Sequence, residues 1–261
     1  MKLYVLNLGK IVMENDNPVT MDDMTQAEKP AIPIHAFLLD TKAGYILFDA
    51  GCDPLGMKGA WPKEMCANPF IYEEDETLQA QLAKIGVKPE DIPYIVVSHM
   101  HTDHAGGLHF FPNAKVYVDK GELETTYEGN KNGTADMFHQ KSDYENWVKA
   151  NINWVPVDAD QENFLGEKID MLDLGKGHSY GMLALAVHLE AGTFMLVADA
   201  AYSAVHYGPP AQMAGICYDE AGYFAAIEKI RDYATKHNAT VLYGHDMPQF
   251  KSLKKAPEYY E

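Results

Sequence analysis

The chain has 261 residues and a formal charge of −17, from 21 basic and 38 acidic side chains with histidines neutral. Hydrophobic residues at 47% supply a sizeable core, and the acidic balance excludes nucleic acid and anionic membranes as expected partners while leaving small molecules open. Cys52, Cys66 and Cys217 share no repeating spacing and read as reduced thiols, which favours the cytoplasm; no stretch is long and apolar enough for a signal peptide or a membrane helix.

In chain order, strands are predicted over 2–6, 34–39 and 45–48, then a helix over 76–85 and strands over 94–97 and 115–118. Helices over 122–127 and 144–151 follow, then strands over 183–189 and 194–197, a helix over 221–237 and a strand over 240–243. In the last helix Phe224, Ile227, Ile230 and Ala234 recur at three- and four-residue steps and mark one apolar face. Strands and helices interleave, which predicts an α/β fold, read here as one domain over 1–261.

Three of these strands end on chemistry. Residue 97 leads into Ser98-His99, residue 197 into Ala198-Asp199, and residue 243 into Gly244-His245. Strand tips are where α/β proteins commonly place their sites. The densest signal is His99-Met100-His101-Thr102-Asp103-His104, followed by the small residues Ala105-Gly106-Gly107, which allow backbones to approach closely. Neutral imidazoles with a carboxylate suit zinc first, and also iron, manganese or cobalt. The alternative is a polar loop of internally satisfied histidines.

The run from His99 to Gly107 resembles the signature of the metallo-β-lactamase superfamily. Gly177-His178-Ser179, Asp199 and Gly244-His245-Asp246 follow in the family's order, and Phe48-Asp49-Ala50-Gly51 is similar to its D-T-G strand end. The resemblance implies an αββα sandwich of two similar halves with two divalent metal ions in a cleft at the sheet edges. It also implies a ligand set: His99, His101 and His178 on one ion, Asp103, His104 and His245 on the other, and Asp199 bridging both.

Within the superfamily the chain is similar to the N-acyl homoserine lactonases. Tyr202 stands three residues after Asp199, Ala214-Gly215 falls where that family contacts the acyl amide, and the opening Lys2-Leu3-Tyr4 and closing Pro257-Glu258-Tyr259 match its ends. The resemblance implies opening of a lactone ring by a hydroxide shared between the ions. Tyr202 would donate to the oxyanion, Asp103 would shuttle a proton, and Ala214 and Gly215 would touch substrate. Asp49 is either an orienting partner of a ligand or a buried turn residue. The chain departs from the family at Lys176 and Met182, where proline and a second histidine are usual.

Met21, Met24, Trp61, Met65, Phe70, Tyr72, Tyr207, Met213 and Ile216 are candidates for an apolar tail pocket. His35, His109, His139, His188, His206 and His237 are read as structural or exposed, without convincing partners. A homodimer is the one protein partnership considered. Two alternatives stand: a glyoxalase II-like ester or thioester hydrolase, against which only sixteen residues follow His245, and a catalytically silent metal-dependent ligand-binding protein.

Overall fold

The first two strands are apolar on both sides, which places them inside a layered structure. In β1 (Lys2–Val12), Leu3 and Val5 enter one hydrophobic cluster while Tyr4, Leu6 and Leu8 enter another. β2 (Ala31–Thr41) repeats the pattern, with Phe37 and Leu39 on one side and Ile34, Ala36 and Leu38 on the other. A period of two sends successive side chains to opposite faces of a sheet, so both faces are covered. The computed structural model describes residues 1–13, 30–65 and 68–261. Met21, Met24 and Cys66 lie outside the described residues.

Among the described residues one sheet has seven strands, in the order β4-β1-β2-β3-β5-β6-β7. Besides β1 and β2 it contains β3 (Gly44–Phe48), β4 (Phe70–Ile71), β5 (Tyr94–Val96), β6 (Lys115–Asp119) and β7 (Asn153–Val157). The other has four, β11-β10-β9-β8, formed by β8 (Ile169–Gly175), β9 (Met182–Leu189), β10 (Gly192–Ala198) and β11 (Ala239–Tyr243). Both sheets carry three antiparallel strands followed by a parallel one, β1-β2-β3-β5 and β8-β9-β10-β11. This is the repeat expected of two related halves.

Seven α-helices among the described residues complete the fold: α1 (Leu78–Ala83), α2 (Thr102–Ala105), α3 (Lys120–Asn132), α4 (Lys141–Ala150), α5 (Ala204–Tyr207), α6 (Glu220–His237) and α7 (Met247–Ser252). Leu3, Phe37, Phe48 and Val96 meet Leu183, Leu185, Leu196 and Leu242 between the sheets. Leu78 and Leu82 of α1 and Trp147 of α4 cover the outer face of the larger sheet. Tyr223, Ile227, Ile230 and Ala234 of α6 cover the smaller one. The layers run helix, sheet, sheet, helix, as expected.

The prediction missed β4, β7 and β8, and all three are sheet edges, β4 being only two residues long. β7 carries Pro156 and β8 carries Asp170 and Asp173; an edge strand tolerates proline and polar residues because one side of its ladder needs no partner. On α6 the stripe is led by Tyr223, which is fully buried, rather than by Phe224.

Candidate metal centre

The backbone delivers the singled-out residues to one end of the sandwich. His99 follows β5, Asp199 follows β10 directly, and His245 follows β11. His101 caps α2, Asp103 and His104 lie within it, and His178 sits in the turn between β8 and β9. This convergence demands tight backbone. A Cβ on Gly107 would lie 2.3 Å from the Ala50 carbonyl oxygen, and one on Gly244 would lie 2.5 Å from Asp199 Oδ1. Asp49 and Ala198 adopt left-handed φ angles of 64° and 44°, the kind of local strain that persists where surrounding structure fixes it.

The seven side chains form two groups. Donor atoms of His99, His101, His178 and Asp199 lie within 4.8 Å of one another, as do those of Asp103, His104 and His245. Asp199 faces both. Its Oδ2 is 3.3 Å from His178 Nε2 and 3.9 Å from His99 Nε2, while its Oδ1 is 3.2 Å from His104 Nε2 and 3.1 Å from His245 Nε2. Asp103 Oδ2 stands 3.6 Å from His104 Nε2 and 3.5 Å from His245 Nε2. The other six residues are buried, whereas the Asp103 side chain keeps 13% exposure and is the group that meets solvent.

Four imidazoles are aimed inward by a bond to their other nitrogen. His99 Nδ1 is 3.0 Å from Ser98 Oγ, His104 Nδ1 is 2.8 Å from Asp49 Oδ2, His178 Nδ1 is 3.0 Å from the Ile216 carbonyl, and His245 Nδ1 is 2.9 Å from the Pro33 carbonyl. Such contacts fix ring orientation and tautomer. They also resolve the role of Asp49: besides His104, it accepts from Ser98 N at 2.7 Å and Ser98 Oγ at 2.8 Å, so it orients a ring and braces a turn together.

Metal ions suit this donor set. His99 Nε2, His104 Nε2 and Asp199 Oδ1 are buried and have no hydrogen-bond partner among the described residues, although an unsatisfied buried polar atom costs about 1–3 kcal/mol. Burial holds His99, His101 and His178 below the ordinary imidazole pKa, leaving them neutral and able to donate lone pairs. For His104 and His245 burial acts the same way but is outweighed by Asp199 and Asp103, with Asp49 adding to His104, and both are raised. The carboxylates thus favour positive charge in the space between the groups.

Tyr202 is buried, and its ring lies 5.2 Å from those of both His178 and His245. Burial, reinforced by the Asp199 charge, pushes its pKa well up, so it keeps its hydroxyl proton. Ala214 is packed in the core beneath α6, whereas Gly215 is exposed and open on its Cα face. Both precede Ile216, whose carbonyl fixes His178. Of the tail candidates, Trp61 and Met65 are core residues, with Phe70 edge-on to Trp61 at 4.9 Å, and Met213 is 48% exposed.

His139 corrects the sequence reading. It is buried between Glu122 Oε1, 3.1 Å from Nε2, and Asp136 Oδ2, 3.0 Å from Nδ1, with its ring 4.6 Å from that of His101. Burial alone would lower its pKa; the two carboxylates overcome this and raise it to about 9. His188 likewise pairs with Asp170, His206 with Ser203, and His109 with the Gly106 carbonyl. Glu122 was missed altogether. The available signal was a stripe, Glu122, Thr126 and Asn130, at four-residue steps on the buried face of α3.

Paired histidine and aspartate groups at the open end of an αββα sandwich define a metal-dependent hydrolase. The chain belongs to the metallo-β-lactamase superfamily, whose family model matches residues 30–245. It is 36% identical to the N-acyl homoserine lactonase AiiB of Agrobacterium fabrum, covering 100% of this chain and 99% of that protein. It is 29% identical to the lactonase AttM of Rhizobium radiobacter, covering 99% and 98%. Among solved structures, an N-acyl homoserine lactone hydrolase with the product N-hexanoyl-L-homoserine at its catalytic metal centre superposes with a TM-score of 0.80. Identity there is 25%, over 99% of this chain and 98% of the other.

Proposed function

We propose that this protein hydrolyses the ring of N-acyl homoserine lactones or closely related small lactones, using two divalent cations, zinc foremost. His99, His101 and His178 would hold one, Asp103, His104 and His245 the other, with Asp199 between them. The carrying observation is Tyr202, set at the same 5.2 Å ring distance from His178 and His245 and so addressing both halves of the cluster. The relatives named for lactonase activity align along the whole chain, which supports the substrate class.

When bound, the cations supply Lewis acidity and a water of near-neutral pKa. The protein supplies the rest. Tyr202 Oη, held protonated by burial, donates to the carbonyl oxygen as negative charge develops there. Asp103, the partly exposed carboxylate, takes up a proton from the attacking water and returns it to the ring oxygen as the acyl C–O bond breaks. Water and lactone are consumed, and one hydroxy acid results. The buried histidines keep their rings fixed throughout.

A pH-stat panel of N-acyl homoserine lactones, simple lactones and glutathione thioesters tests the assignment. Acid release from the acyl lactones at the highest kcat/KM is expected. Preferential thioester cleavage would transfer the chain to the glyoxalase II-like reading, and binding without acid release would make it a sensor.

A further inference from the structure

His101 differs from the other four imidazoles of the cluster. Its inward nitrogen is Nδ1, 3.1 Å from His178 Nε2, and its Nε2 has no hydrogen-bond partner among the described residues. No bond to its outer nitrogen therefore sets its direction. Its position depends on ring packing against Phe138 and His139, at 5.4 and 4.6 Å, and on the backbone either side. Thr102 N donates to the Phe138 carbonyl at 3.0 Å, and Met100 N donates to Glu122 Oε1 at 2.6 Å.

Glu122 reaches further. It is fully buried on α3, and the same carboxylate accepts from Ser179 Oγ at 2.8 Å and Gly181 N at 3.1 Å, both in the turn that carries His178. His139 Nε2 contacts Oε1 at 3.1 Å. One carboxylate thus ties together the two separate loops bearing His101 and His178, and its hydrogen bonds among the described residues go to Met100, His139, Ser179 and Gly181 rather than to Asp103, His104 or His245. We propose that Glu122 is a positioning residue that sets the spacing of His101 and His178, and with it the cation affinity of that half of the centre alone.

The inference rests on the reading of the cluster as a two-cation site. It has a direct test in Glu122→Gln. An amide has one acceptor oxygen where the carboxylate has two, so its NH2 must face either Met100 N–H or Gly181 N–H, donor against donor. Metal-free wild type and E122Q are titrated with cobalt(II), followed by d–d absorption and calorimetry. Wild type is expected to take two equivalents. E122Q should take one as tightly as wild type and the second about 10–100-fold more weakly, the usual effect of losing a ligand's support. Anomalous scattering at limiting cobalt should then place the retained ion beside His104 and His245.

Ser179→Ala cuts one of the two links to the His178 turn, leaving that from Gly181 N, and serves if E122Q does not fold. A smaller weakening of the same equivalent is expected. Two equivalents bound as in wild type by whichever variant folds would overturn the inference while leaving the functional reading intact. A wild-type protein that takes up no cobalt would remove both.

Discussion

Asp49 Oδ2 lies 2.8 Å from His104 Nδ1, across 55 positions of sequence, while Oδ1 holds the backbone N–H of Ser98 beside His99. One carboxylate from the tip of β3 therefore governs a histidine in α2 and the turn that leaves β5. In Asp49→Asn the oxygen can still accept from Ser98 N, but the amide NH2 then faces His104 Nδ1. That favours the tautomer with its proton on Nε2, the nitrogen that must point bare into the cluster. Cation affinity is expected to fall about 10–100-fold, measured by calorimetry, with little change in the melting of the metal-free protein.

Tyr202→Phe removes one hydroxyl from a ring that stays packed between His178, His206 and His245. The donor is needed when charge appears on the carbonyl oxygen, so the loss belongs in kcat. A fall of roughly 100-fold is expected for one oxyanion donor, with KM and metal content nearly unchanged. Steady-state kinetics on an acyl homoserine lactone decide it.

Asp103→Asn keeps an oxygen for the cluster but cannot carry a proton. Turnover should drop by about 100-fold or more, the usual contribution of a positioned acid–base group. A turnover equal to wild type in the metal-loaded variant would contradict the role given to Asp103.

Much of this site is legible in the sequence. His99, Asp199 and His245 each follow a run of apolar strand residues, and such runs announce themselves by composition alone. Their convergence needed the fold: Asp199 and His245 come from neighbouring parallel strands, while His99 comes from the other sheet. Glu122 and His139 were not legible in the same way. A single glutamate in a helix and a histidine in a loop carry no spacing signal toward a partner 17 positions apart. The edge strands β7 and β8 were hidden for the opposite reason, since exposure permits them polar residues and proline. Gly107 and Gly244 read only as small residues until the Ala50 carbonyl and Asp199 filled the space beside them.

Asp143 offers a test of the electrostatics outside the cluster. It is fully buried, accepts from Thr102 Oγ1 at 2.6 Å through one oxygen, and has no partner among the described residues for the other. Burial raises its pKa to about 7, with the Thr102 bond acting against the shift and the charges of Asp53 and Asp103 adding to it. The folded chain therefore holds a proton that the unfolded chain releases near pH 4. Stability from this group is present at low pH and is lost as pH rises from about 4 to 7. Asp143→Asn cannot lose that proton. In metal-depleted protein its advantage over wild type should be absent near pH 4 and grow to a few kcal/mol, as an order of magnitude, above pH 7. Thermal melts across that range check it; a difference independent of pH would contradict the assignment.

In the function proposed above, two cations sit among Asp103, Asp199 and the five histidines, and lactone opening depends on them. The most direct measurement is metal content and acyl-lactone turnover on the same preparation, before chelation, after chelation and after restoring zinc. Two equivalents per chain are expected, with turnover lost as they leave and regained as they return. Undiminished turnover in a protein stripped of metal would contradict the claim.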